Sequence, residues 1–210
     1  MENIKKQFIE LLYSTGREGI DKVINSLERL GFFTAPASTK FHLNFPGGLM
    51  LHSWNVCNTA LMLRQQMILM KPDLEAKLPV NSIIIASLLH DVCKSDIYKE
   101  TLLNRKNEQG FWEKVPGYEI DCSNFPMGHG EKSVIMLVTM GLKLTKDEML
   151  AIRWHMTAWE LAFQSYEQKS NLQTARNIAP LCAIIQSADG LASSLLEEVT
   201  EPSPIQTQGS

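Results

Sequence analysis

Apolar positions recur at helical spacing along most of the chain. Ile4, Phe8, Leu11 and Leu12, then Ile20, Val23, Ile24, Leu27 and Leu30, predict two amphipathic helices over 2–14 and 17–31, joined near Gly16. The stretch "GFFTAPASTKFHLNFPGG" breaks this periodicity with Gly, Pro and Ser, marking a loop that leads into a long helix over about 49–70. "KPDLEAKLPVN" reads as the next linker. A nearly unbroken apolar run then predicts a helix over 83–95 whose last turn carries His90, Asp91 and Lys94. In "KETLLNRKNEQGFWEKVPGYEID" the aromatic and β-branched residues around Asn107 to Gly110 suggest a short β-hairpin or an irregular excursion. Helical patterns resume over 129–140, 146–154 and 175–196, and the Pro- and Gln-containing tail from Glu201 is expected to fray. The expected fold class is all-α, a helical bundle with a short hairpin insertion, without internal repeats or low-complexity tracts.

Composition narrows the setting. A chain of 210 residues can bury a sizeable core as one domain. Its formal net charge of -3 offers no general attraction for polyanions, so any phosphate recognition must be local. Cys57, Cys93, Cys122 and Cys182 form no C-x-x-C, and no secretory segment is evident, which together suggest a reduced, cytoplasmic protein. Lys, Arg, Asp or His interrupts the apolar runs before the roughly 18 to 20 residues a membrane helix needs, so no membrane partner is expected. The expected organisation is an N-terminal helical hairpin over 1–36 packed on a domain over 37–200, followed by a disordered tail over 201–210.

An imidazole, a carboxylate and an ammonium at the end of a core helix need partners, because burying them unpaired is costly. Other candidates lie on or beside the predicted helices: His52 in "GGLMLHSWNV", His129 in "FPMGHGEKS", His155 in "IRWHMTAWE" and Asp189 in "QSADGLAS". These nitrogen and oxygen donors, without thiolate, suit a hard or borderline divalent metal: one or two ions of Mn, Fe, Mg, Co, Ni or Zn. A closed structural zinc site suits them less, since its ligands are usually closely spaced Cys and His. Neighbouring side chains on a helix diverge by roughly 100°, so His90 and Asp91 can share one ion only beside the helix end. His52 and Asp189 would close the far side. Lys94, four residues after His90, projects along the same face and suits a substrate anion.

Blander roles stand beside these. His52 could be a hydrogen-bonded boundary residue, His129 could sit at a helix start, and His155 could pack with Trp154 and Trp159. Met50, Met62, Met67 and Met70 read as packing. Tyr98, Trp112 or Tyr118 could stack on a nucleobase, or simply pack against the helices, and Arg105, Lys106 and Lys114 could be ordinary surface charge.

The order H, HD, D on successive helices resembles the HD-domain superfamily of metal-dependent phosphohydrolases, and two further histidines between HD and the last Asp resemble its binuclear members. More narrowly, "FHLNFPGGLMLHSWNV", "LLHDVCKSDIY", "GHGEKS" and "IRWHMTAWE" are similar to the HD domain of the YhaM-type 3′-5′ exoribonucleases, over roughly residues 37 to 195. The resemblance implies that His52, His90, Asp91 and Asp189 hold a first metal. It further implies that His129 and His155 hold a second, with Asp91 bridging. Lys94 would touch the substrate phosphate, Asp91 and Lys94 would be catalytic, and His42, ahead of the Gly-Gly, would contact substrate. Glu131 and Glu160 lie near these residues without an assigned role. The OB portion of those exonucleases has no counterpart here, and Trp154-His155 stands where they carry His-His. A nucleotide or short oligonucleotide is therefore expected as substrate rather than long nucleic acid, with metal-activated water cleaving its phosphate ester. Two other readings share the pattern: a diiron oxygenase of the same superfamily, and a non-catalytic nucleotide-sensing module. In the sensing module the N-terminal hairpin would serve a partner or a homo-oligomer.

Overall fold

The computed structural model describes residues 1–157 and 165–197. Two helices, α1 (Glu2–Ser14) and α2 (Ile20–Leu30), precede a loop and the long α3 (Gly48–Met70). A 3-10 turn (Pro72–Lys77), α4 (Val80–Leu89) and a second 3-10 turn (Val92–Asp96) follow. Strands β1 (Tyr98–Lys106) and β2 (Trp112–Ile120) interrupt the helices, which resume as α5 (His129–Thr139), α6 (Lys146–Arg153), α7 (Tyr166–Ile178) and α8 (Leu181–Leu191). The last described turn, Ala192–Leu196, is π-helical. The architecture is mostly helical, with one two-stranded antiparallel sheet.

The apolar stripes predict the core well. Phe8 and Leu12 of α1 and Val23 and Leu27 of α2 join the same buried cluster as Leu49, Ile85, Leu89, Leu137, Ile152 and Ile185. Within it, α3 packs on α4 and α8, and α6 packs on α4, α5 and α8. Among the described residues no single helix is long and apolar enough to cross a membrane.

Three departures from the predicted elements bear on function. The helix expected over 83–95 ends at Leu89. His90 is its cap, and Asp91 leaves helical geometry at φ -107°, ψ 21°. The cause is local: the His90 Nδ1–H donates to the Ser87 carbonyl at 2.7 Å, the acceptor an Asp91 N–H would use if the helix ran on. The single helix expected over 175–196 is also corrected, being α7 and α8 broken at Ala179-Pro180. Proline lacks an N–H and biases the preceding residue away from helix, as Ala179 shows at φ -126°, ψ 89°. The hairpin is longer than its sequence signal, with nine residues in each strand. Its turn is closed by Asn107, whose Oδ1 accepts from the Gln109 and Phe111 backbone N–H groups.

Two close approaches and one ion pair fix the helices that matter. A side chain at Gly48 would meet the Leu43 carbonyl oxygen at 2.0 Å, so glycine lets the 37–43 loop lie directly on the start of α3. At Gly130 a Cβ would meet the Arg153 oxygen at 2.1 Å, which seats the first turn of α5 against the end of α6. Arg17, from the α1–α2 junction, forms a bidentate pair with the buried Glu148 of α6, at 2.6 Å to each oxygen. Glu148 also completes a capping box with Thr145, so the same carboxylate both starts α6 and ties it to the N-terminal helices.

Candidate metal centre

Five of the predicted ligands converge from four helix segments. His52 comes from the first half of α3, His90 and Asp91 from the end of α4, His155 from just beyond α6, and Asp189 from α8. Donor atoms of His52, His90 and Asp91 lie within 4.8 Å of one another, as do those of His90, His155 and Asp189. His52 Nε2 is 3.3 Å from Asp189 Oδ1, 3.3 Å from His90 Nε2 and 3.7 Å from Asp91 Oδ2. Asp91 spans the cluster. Its Oδ2 faces His90 Nε2 at 3.4 Å, and its Oδ1 faces His155 Nε2 at 3.3 Å.

The orientation of two imidazoles follows from their own helix ends. The Nδ1–H of His90 donates to Ser87, and that of His155 donates to Ile152 at 2.7 Å, each to the carbonyl three residues back. With the proton placed on Nδ1, each Nε2 presents a lone pair towards Asp91. Two electron-rich atoms at 3.3 Å repel unless a cation or a proton lies between them. In keeping with this, Asp91 Oδ1 and His155 Nε2 are buried without a hydrogen-bond partner among the described residues. Such orphaned groups are costly and call for an explanation. A divalent ion among neutral imidazoles and carboxylates supplies one, and the donor set fits it chemically.

Charge is balanced locally. Burial alone would raise the Asp91 carboxyl, but the charge of Lys94, 2.7 Å away, and the surrounding imidazoles of His90 and His155 hold it well below its ordinary value. Asp189 is likewise kept low, against burial, by His52, His90 and His155. Lys94 would be lowered by burial, yet its ammonium is held on by Asp91, 2.7 Å away. His155 is raised, chiefly by Asp91 acting against burial. The thiol of Cys93 is pushed up to about 12 by burial and by Asp91, and its sulfur belongs to none of the donor groups among the described residues.

Exposure shows where the cluster opens. His52, His90, Asp91 and His155 are at most 2% exposed, whereas the side chains of Lys94, Asp189 and His42 reach 12%, 18% and 22%. Lys94, Asp189 and His42 therefore mark the mouth. His42 Nε2 is buried without a hydrogen-bond partner among the described residues, and its ring centroid is 5.2 Å from that of His52. Among the described residues the two non-glycine positions with positive φ are Leu43, directly after His42, and Thr157, two residues after His155. Backbone strain of this kind costs on the order of 1–3 kcal/mol and concentrates at functional sites.

Not every predicted residue joins the cluster. His129 begins α5, half-buried, and belongs to none of the donor groups that could hold an ion among the described residues. Glu131 pairs with Arg153 at 2.5 Å, and Trp154 packs under the Arg153 guanidinium. Trp159 and Glu160 lie outside the described residues. Trp112 sits at the loop end of the hairpin, 69% exposed and opposite Lys106, about 26 Å along the strand from Tyr98. Tyr98 and Tyr118, at the base, line a groove of about 250 Å³ with Pro36, Pro46, Ser95 and Glu100.

One buried carboxylate had no sequence signal. Glu197, just past the π-helical turn, places Oε1 and Oε2 at 3.1 and 3.0 Å from His52 Nδ1. It sits within a Leu-Leu-Glu-Glu run with no motif around it. Only the fold brings it to His52.

No family model, curated protein or solved structure matches this chain, so the reading of the site rests on its own residues.

Burial alone would lower the His52 pKa, but hydrogen bonds and charges from Asp189 and Glu197 outweigh it and push it up to about 9. In the metal-free protein this proton stabilises the fold. The contribution is complete below the unfolded value near 6.5 and is lost as pH rises through about 9. A metal needs the neutral imidazole, so loading at pH 7.5 is expected to release about one proton per ion from His52, with any further release coming from His155, which is also raised, and to tighten as pH rises towards 9. Calorimetric titration in buffers of different ionisation enthalpy measures that release, and no buffer dependence would contradict the assignment.

Proposed function

We propose that this protein is a metal-dependent phosphohydrolase of HD type, cleaving phosphate esters of nucleotides or short oligonucleotides. The observation that carries the reading is the inward-facing, partnerless pair of Asp91 Oδ1 and His155 Nε2 within a buried cluster completed by His52, His90 and Asp189. Those five residues would hold the ion, with the two oxygens of Asp91 serving the His90 and His155 sides. A bound divalent ion supplies Lewis acidity, bringing the pKa of water from about 15.7 towards 7 and drawing charge from phosphoryl oxygens.

The chain's own residues do the rest. Lys94, at the mouth with its ammonium held charged by Asp91, offers that ammonium to the non-bridging oxygens as charge gathers there. His42 lies at the mouth, where the exposed part of its side chain would contact substrate while its buried Nε2 faces Glu197 Oε2 at 3.8 Å. The groove of about 250 Å³ lined by Tyr98 and Ser95 includes none of the cluster residues, but Ser95 follows Lys94 in the chain, and the groove would take one base or sugar of a small substrate. The net charge of -3 adds nothing that would attract a long polyanion.

The test combines two measurements on one preparation. Elemental analysis of protein purified without added metal is followed by phosphate-release assays over nucleotides, cyclic nucleotides and short oligomers with Mn, Mg, Co and Fe. Bound metal together with metal-dependent phosphate or nucleotide release is the expected result. Bound iron with oxygen consumption and no release would replace hydrolysis by oxygenation. Nucleotide binding without product under every metal would make the protein a sensor.

A further inference from the structure

We propose that Glu197 is the positioning residue of this centre, so that metal retention depends on the C-terminal turn closing over α3. The inference rests on the metal reading above and adds to it a group from the last described turn of the chain.

The three clustered histidines are oriented in two ways. His90 and His155 each lean on a neutral carbonyl from their own helix end. His52 instead has its Nδ1 on a carboxylate 145 residues away in sequence, with both oxygens within 3.1 Å. Glu197 is held in turn by Asn55 Nδ2, 3.1 Å from Oε1, one helical turn along α3 from His52. His42 Nε2 is 3.8 Å from Oε2. The Glu197 side chain has no exposure to solvent.

A fully buried carboxylate needs donors, and among the described residues Asn55 supplies one. Among the described residues the Nδ1–H of His52 is the other, so the neutral imidazole that a metal needs keeps its proton on Nδ1 and turns Nε2 to Asp189, His90 and Asp91. A metal-ligating imidazole whose second nitrogen donates to a carboxylate is both better aimed and more basic, and losing the carboxylate typically weakens metal binding about 10- to 100-fold. The wide π turn over Ala192–Leu196 lets the chain leave α8, which carries the ligand Asp189, and still return Glu197 to α3. Ligand and orienting carboxylate therefore arrive on one continuous segment.

The test uses the full chain as wild type, Glu197→Gln and Glu197→Asp. Cobalt and manganese affinities are measured by competition with a chromophoric chelator, together with the visible spectrum of the cobalt-loaded proteins and the melting of each metal-free protein. E197Q is expected to bind about 10- to 100-fold more weakly with an altered cobalt spectrum, and E197D to recover part of the affinity. A purely structural Glu197 would lower the melting temperature and leave affinity and spectrum unchanged, which would overturn the inference. If E197Q does not fold, Asn55→Ala, which loosens the carboxylate without touching a ligand, must weaken binding in the same direction. Unchanged affinity in N55A would then overturn the inference. Wild-type protein that takes up no ion would sink the metal centre itself, an outcome distinct from wild-type uptake with an unaffected E197Q.

Discussion

An Asp91→Asn protein is expected to retain no metal and to lose more than about 1,000-fold in phosphate-ester turnover. Both carboxylate oxygens are in use: Oδ1 faces His155 at 3.3 Å, and Oδ2 faces His90 at 3.4 Å and Lys94 at 2.7 Å. An amide keeps one oxygen and turns an NH₂ group either at the Lys94 ammonium or into the ion's place. The metal-free variant also leaves Lys94 without its counter-charge, and breaking such a buried pair costs about 3–5 kcal/mol. Urea unfolding of the metal-free proteins reads that cost, and elemental analysis with a turnover assay reads the rest. A D91N protein that kept its metal and its rate would remove the basis of the proposed chemistry.

Lys94→Met should behave differently, and the contrast separates two roles for the ammonium. If Lys94 serves the substrate, the variant holds metal as tightly as wild type or more tightly, because a competing positive charge beside Asp91 is gone. Turnover should nevertheless fall about 100- to 1,000-fold, or about 3–4 kcal/mol of transition-state stabilisation. If Lys94 only neutralises Asp91, turnover at saturating metal should match wild type. Measuring kcat and metal affinity on the same sample distinguishes these outcomes.

Much of this centre was legible before folding because its parts sit where sequence pattern is strongest. His52, His90, Asp91 and Asp189 interrupt apolar helical runs, and a polar group inside such a run demands a partner. Three things were hidden, each for a physical reason. The end of α4 depends on an imidazole taking a backbone carbonyl, a side-chain event that periodicity does not register. The break at Pro180 was masked by the apolar residues on both sides, which continue a helical stripe across a residue that cannot continue the helix. Glu197 is adjacent to nothing relevant in sequence, and only the return of the turn after α8 gives it a meaning. His129 is the reverse case: a suggestive Gly-His-Gly at a helix start that the fold leaves out of the described donor groups.

His90 and His155 share a device: each ring is aimed by the carbonyl three residues before it, so Ser87 to His90 and Ile152 to His155 are self-contained tetrapeptide pointers. Their aim does not depend on any loop. Anyone grafting this arrangement onto another helical scaffold would need to copy two helix ends and their mutual placement, leaving the connecting segments free to be rewritten.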